Sequence, residues 1–274
     1  MMIQNYPQFF RRSFFAVCVF LSGLILPAAH GAIVDSIMVN PRVFNDFSTS
    51  NLTITNNYPA QAVIDDRNLV DDGMGGTFAN RHDLLFSSDG GSTAAVFDIN
   101  DVVSLQMSIR LDTGTAGPRK EAGIRFNSGT TGDALFIINS DAGEIVAFGG
   151  GAPFHSFGSN NSANGYVLGS TILMGLVYRG DLTPRTVEYF IDRDPSTPGG
   201  VERSGELRWD NNENGPVNFT VGLYAQVAPS GPNDFVTARF TNIVIPEPGS
   251  GLLIASVFAS VAGTGRLRKS SRSA

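Results

Sequence analysis

Between Val103 and Leu111 every odd residue is apolar: Val103, Leu105, Met107, Ile109 and Leu111 alternate with Ser104, Gln106, Ser108 and Arg110. A period of two buries one face of an extended chain and wets the other, as in an antiparallel sheet; a helix would need a period of about 3.6. Phe219–Ala225 and Phe235–Phe240 repeat the habit more loosely. No long helical periodicity interrupts these runs. Short apolar segments recur instead at Ile33–Val39, Leu52–Thr55, Ala94–Ile99, Val102–Leu111, Ala122–Phe126, Ala134–Asn139, Glu144–Phe148, Ile172–Tyr178, Thr186–Ile191, Val217–Val227 and Phe235–Ile245. Turn residues separate them: Asp72-Gly73, Asp89-Gly90-Gly91, Gly149-Gly150-Gly151 and Pro198-Gly199-Gly200. Ser140-Asp141-Ala142-Gly143, set between Asn139 and Glu144, reads as a tight hairpin. Many short strands without helices predict an all-β fold, a single antiparallel β-sandwich or jelly roll, and no internal repeat points to a propeller.

The two ends differ from this body. Arg11-Arg12, the apolar run Phe14–Leu26 and the small residues up to Gly31 have the order of a signal peptide over residues 1–31. At the other end come Pro246-Glu247-Pro248, a weakly apolar stretch at 249–265 and the basic residues Arg266, Arg268, Lys269 and Arg272. That stretch has 17 residues, the lower limit for a transmembrane helix, and its basic flank predicts a cytoplasmic tail. The expected division is therefore a signal peptide, an extracytoplasmic domain over 32–245, and a C-terminal segment over 246–274.

The tripeptide, the span ending near Gly263-Thr264-Gly265-Arg266 and the basic terminus resemble the PEP-CTERM protein-sorting signal. The resemblance covers residues 246–274 only. It implies a Gram-negative bacterial protein, membrane anchoring by this helix, recognition of Pro246, Glu247 and Pro248 by an exosortase-type processing enzyme, and delivery to the cell surface or the extracellular matrix. A second resemblance concerns the body. Arg185–Asp192, with Tyr189 and the closing Asp192, is similar to the strand-then-Asp hairpin of concanavalin A-like and laminin-G-like domains. Arg193 stands where those domains usually carry glycine.

Charge excludes one class of partner. Of the chain's 19 basic and 25 acidic residues, six basic and one acidic lie in the two ends, leaving 13 against 24 in residues 32–245 and a net of −11. Lys120 is the only lysine there. Nucleic-acid binding needs a basic face and is not expected. The sole cysteine, Cys18, lies in the leader, so the body has neither disulfide nor thiol chemistry.

Candidate chemistry is sparse. His82 and His155, the histidines outside the leader, are 73 positions apart and lack metal-ligand spacing. His155, set between Phe154 and Phe157, is expected on the polar side of a strand. Glu188, Asp192 and Asp194 are the carboxylates that a glycosidase could use if their strand ran on, although Asp192-Arg193-Asp194-Pro195 also reads as a turn. Asp65 and Asp66 with Asp71 and Asp72, and Asp192 with Asp194, are candidate calcium ligands without EF-hand spacing; no other cofactor is implied. Trp209, beside Arg208 and Asp210, reads either as a carbohydrate platform or as a ring sealing the core. These observations lead to an exported, non-enzymatic surface or matrix protein with a structural or adhesive role, in contact with exopolysaccharide. A secreted carbohydrate-active enzyme or a lectin-like module on the same fold is the alternative.

Overall fold

A computed structural model describes residues 33–71, 73, 78–129, 132–159, 164–197, 199–209 and 218–245. The leader, Pro246-Glu247-Pro248, the expected span, its basic flank and Asp72 lie outside the described residues. No helix among the described residues is long and apolar enough to cross a membrane.

Among the described residues sixteen strands form two antiparallel sheets, eight in each, stacked as a β-sandwich. The first sheet has the order β1 (Ser36–Asn45), β4 (Asn80–Ser87), β15 (Phe219–Val227), β7 (Lys120–Asn127), β8 (Asp133–Asn139), β9 (Ile145–Gly149) and β10 (His155–Gly158), with the short β5 (Val96–Phe97) beside β15. The second runs β13 (Val201–Arg203), β12 (Thr186–Asp192), β11 (Thr171–Arg179), β6 (Val102–Thr113), β16 (Phe235–Val244), β3 (Gln61–Arg67) and β2 (Asn51–Asn57), with β14 (Leu207–Arg208) beside β12. The all-β jelly-roll architecture expected from the alternation is the one observed. The Ser140–Gly143 turn does join β8 to β9: Ile138 pairs with Ile145, and Gly143 takes the positive φ of 55° that glycine adopts without penalty.

Alternation decides what enters the core. On β6 the five odd residues from Val103 to Leu111 are all buried and pack into the space between the sheets. Leu84, Phe86, Ile124, Phe136 and Leu223 come from the first sheet; Ile64, Met174, Ile191 and Phe240 meet them from the second. Burying such side chains contributes about 1.5–3 kcal/mol each before the entropy of ordering is subtracted.

Two polar clusters also lie between the sheets. His82 on β4 donates through Nε2 to Asp66 Oδ2 of β3 at 2.9 Å, because its Nδ1 already accepts the Arg42 amide N–H at 3.0 Å. Asn80 donates to the same carboxylate at 2.9 Å. Burial alone would raise the Asp66 pKa, but the hydrogen bonds from His82, Ser50 and Asn80 outweigh it and hold this carboxyl below its ordinary value. The Arg42 guanidinium bonds Asn45 and the main-chain oxygens of Phe47 and Ser50, so the cluster pins the bend between β1 and β2. The second cluster is the Lys120–Asp234 ion pair, which is taken up in the Discussion.

Candidate functional site

The side of the first sheet turned away from the core carries the concentration of chemistry. Leu84 and Phe86 point inward on β4, which leaves Arg81, Asp83 and Leu85 outward. By the same alternation β15 presents Gly222, Tyr224 and Gln226; β7 presents Glu121, Gly123 and Arg125; β8 presents Asp133, Leu135, Ile137 and Asn139; β9 presents Val146 and Phe148. The register aligns them in rows across the strands. Asp83 pairs with Tyr224, Tyr224 with Gly123, Gly123 with Ile137 and Ile137 with Val146. One row along, Arg81 pairs with Gln226, Gln226 with Glu121 and Glu121 with Asn139.

Four of these side chains close a ring of ion pairs. Arg81 Nε meets Asp83 Oδ1 at 2.9 Å and Arg81 Nη1 meets Asp133 Oδ2 at 2.8 Å. Arg125 Nε meets Asp133 Oδ1 at 2.8 Å and its Nη1 lies 3.1 Å from Asp83 Oδ2. The Arg81 guanidinium also lies 5.0 Å from the centroid of the Tyr224 ring, within cation–π reach. The Tyr224 hydroxyl donates to Glu121 Oε1 at 3.0 Å.

The ring sets the protonation states. Asp133 is held below the ordinary carboxylate range: burial opposes this, but Asn127, Arg81 and Arg125 outweigh it. Glu121 goes the other way, raised by burial that Tyr224 and the arginines do not offset. Burial and the neighbouring Glu121 push the Tyr224 phenol well above its ordinary value. Tyr224 is therefore a fixed donor, and Glu121 is a carboxyl that keeps its proton to a higher pH than a free one.

Glycine makes room for these groups. A Cβ on Gly222 would stand 2.5 Å from the Leu84 carbonyl oxygen and 2.9 Å from Leu85 Cδ2, and one on Gly123 would collide with the Phe136 carbonyl oxygen. With no side chain at either position, Tyr224 lies flanked by bare backbone. Beyond it, on β8 and β9, the face turns apolar: Ile137, Val146 and Tyr224 form a small cluster against which the half-buried Leu135 and Phe148 pack. The face thus joins a charged half to an apolar half, and one donor is uncommitted. Arg81 is 6 % exposed, and its Nη2, itself buried, has no hydrogen-bond partner among the described residues.

Most residues singled out from the sequence lie elsewhere. Trp209 is 2 % exposed, wedged edge-on against Tyr178 at 5.6 Å and Phe126 at 5.7 Å. It seals one end of the core and offers no surface platform for a sugar. Glu188 and Asp192 share the outer side of β12 but stand four residues apart, about 13 Å along a strand, beyond the separation of either glycosidase class. Glu188 pairs with Arg203 at 2.8 Å, while Asp192 accepts the Asp194 amide at 3.0 Å. Asp194 accepts from Ser196 and Thr197, so Asp192–Thr197 is the turn that the sequence also allowed. Asp65 and Asp66 sit on opposite faces of β3, with Asp65 on Arg67 and Asp66 on His82, and cannot converge on one cation. Asp71 accepts the Gly73 amide. No group of three or more His, Cys, Asp or Glu among the described residues could hold a metal ion. His155 is not on the polar side of its strand: it shares a face with buried Phe157, ring to ring at 4.5 Å, and burial lowers its pKa.

No family model matches this sequence, and no curated protein matches it. Solved structures of similar architecture include a family 7 alginate lyase, A1-II′, in complex with product, at 10 % identity and a TM-score of 0.46 over 70 % of this chain and 82 % of that one. Lectin II from Ulex europaeus is similar at 10 % identity, with a TM-score of 0.43 over 77 % of this chain and 95 % of the lectin. The alginate lyase from Corynebacterium sp. is similar at 12 % identity, with a TM-score of 0.44 over 71 % of this chain and 80 % of the lyase.

Proposed function

We propose that this chain is an exported surface or matrix protein whose sandwich holds exopolysaccharide against the outer side of the first sheet. One observation carries the reading: the partly exposed Asp133 and Arg125 of the charged ring adjoin an apolar strip of half-buried Leu135 and Phe148. Sugars need that combination, hydroxyl groups requiring directional donors and acceptors while their C–H faces rest on apolar or aromatic surface. Phe148 takes the role that the sequence offered to Trp209. The test is affinity electrophoresis of residues 32–245 in gels containing polysaccharide. Phe148→Ala, at a half-buried position, is expected to weaken binding about tenfold, equivalent to about 1.4 kcal/mol. Wild-type retardation by both Phe148→Ala and Leu135→Ser would move the site off this face.

A second reading has its own observation. Glu121 keeps its proton to a higher pH than a free carboxyl and is held by the Tyr224 hydroxyl, so it could serve as a general acid in glycan cleavage. Chain shortening that disappears in Glu121→Gln would make the protein an enzyme.

Delivery to the surface rests on Pro246-Glu247-Pro248 and the basic flank, by resemblance. Peptide mapping of the secreted protein is expected to find its C-terminus near Pro246–Pro248. An intact Ala274 in the membrane fraction would mean a permanent anchor instead.

A further inference from the structure

We propose that the glycan held on this face is uncharged; the inference rests on the binding reading above and names its ligand class. The argument is one of committed charge. Each arginine along the face is already neutralised twice: Arg81 by Asp83 and Asp133, Arg125 by the same two, and Arg119, at the Glu121 end, by Asp141 at 3.1 Å and Glu144 at 2.9 Å. With Glu121 added, three cations face five carboxyl groups among the described residues. Protonation of Glu121 still leaves four carboxylates against three guanidinium groups.

A uronate polymer entering here would find no unpaired positive charge. It would have to displace an aspartate from a buried ion pair, leaving that aspartate desolvated without a partner. It would also approach a body whose net charge is −11 over residues 32–245. A neutral sugar meets neither obstacle. Its hydroxyl groups can donate to Asp133, whose side chain is 23 % exposed at the edge of the ring. Its C–H face can lie on Leu135 and Phe148.

The experiment compares probes that differ in charge on one backbone: native polygalacturonate and the same polymer with its carboxyl groups reduced to alcohols, with dextran and mannan as further neutral chains. Binding to the folded body is measured at low salt and at about 1 M salt, where the screening length has shrunk to about 3 Å. The expected result is retention of at least one neutral chain, with affinity changing less than about twofold between the two salt conditions, as follows when hydrogen bonds and apolar contact dominate. Phe148→Ala should weaken it. Stronger binding of native polygalacturonate, lost at high salt and weakened by Phe148→Ala, would overturn the uncharged ligand while keeping the binding face. Absence of binding to all four probes would count against the face itself, so the two failures are distinct.

Discussion

Replacing Lys120 with Met is expected to lower the free energy of unfolding by about 3–5 kcal/mol, the range for breaking one side of a buried ion pair. Lys120 Nζ lies 2.5 Å from Asp234 Oδ2 and 2.9 Å from Thr115 Oγ1, and the two charged side chains are 0 % and 1 % exposed. Asp234 also accepts from the main chain of Thr115 and Ser230 and from both their hydroxyl groups. One carboxylate therefore ties the segment between β6 and β7 to the segment between β15 and β16. With the ammonium gone, a desolvated charge remains at the junction of the two sheets. The signature in urea is a lower midpoint with an unchanged slope, since the surface exposed on unfolding is the same. A second variant tests the cause: Leu at 234 added to Met at 120 removes the stranded charge and should recover part of the loss.

Acid separates this explanation from simple loss of packing. Burial raises the Asp234 pKa, but Lys120 and the surrounding hydrogen bonds outweigh it, and the carboxyl is held well below its ordinary value. A depressed folded-state pKa adds stability that is present above the unfolded pKa of about 3.9 and is lost as pH falls through the folded value. Wild type should therefore weaken below about pH 4, while the Met variant, whose Asp234 has lost its cation, should weaken less. Curves that stay parallel across that range, or a loss below about 1 kcal/mol at neutral pH, would show that the pair is not a major support of the junction.

The apolar half of this fold is written in the sequence, and its polar half is hidden there. β6 is legible because both its faces obey the solvent rule, with Val103 to Leu111 inward and Ser104 to Arg110 outward. β3 and β4 escape that rule. Asn80, His82 and Asp66 point inward and are polar, while Leu85 points outward and is apolar, so no period of two survives in Asn80–Ser87. Buried polar residues that satisfy one another erase the very pattern by which strands are recognised. The candidate site suffered the same loss, since Arg81 and Asp83 stand on β4. Arg125 and Tyr224 lie in strands that were legible, Glu121 stands one residue before the expected start of its strand at Ala122, and their alternation with Ala122, Ile124 and Leu223 marks all three as outward. Nothing local says that Asp133 will close the ring with them. That follows from the order β4-β15-β7-β8, which brings together strands more than a hundred positions apart. Trp209 shows the converse. Its polar neighbours Arg208 and Asp210 suggest a surface, but its ring is claimed by Phe126 from one sheet and Tyr178 from the other.

That contrast gives the second large effect. Trp209→Ala should destabilise by about 3–5 kcal/mol, the usual result when a large aromatic is removed from a core that cannot collapse around the space. The four rings meet at 5.3–5.7 Å and come from β7, β11, β15 and the residue after β14, so neighbours on both sheets would have to move to fill the void. The indole Nε1 has no hydrogen-bond partner among the described residues, so the loss is one of packing and ring contact rather than of a polar anchor. Trp209 lies between the sheets, whereas the charged ring lies outside the first of them. Folded Trp209→Ala, held well below its lowered melting temperature, should therefore bind polysaccharide within about twofold of wild type, because distant sites that share no partners act independently. A stable variant that has lost glycan binding would reverse both assignments, making Trp209 the platform and the outer face of the first sheet a structural ion-pair network. The expected pairing, a large fall in stability with binding intact, places the seal of the core and the contact with sugar on opposite sides of one sheet.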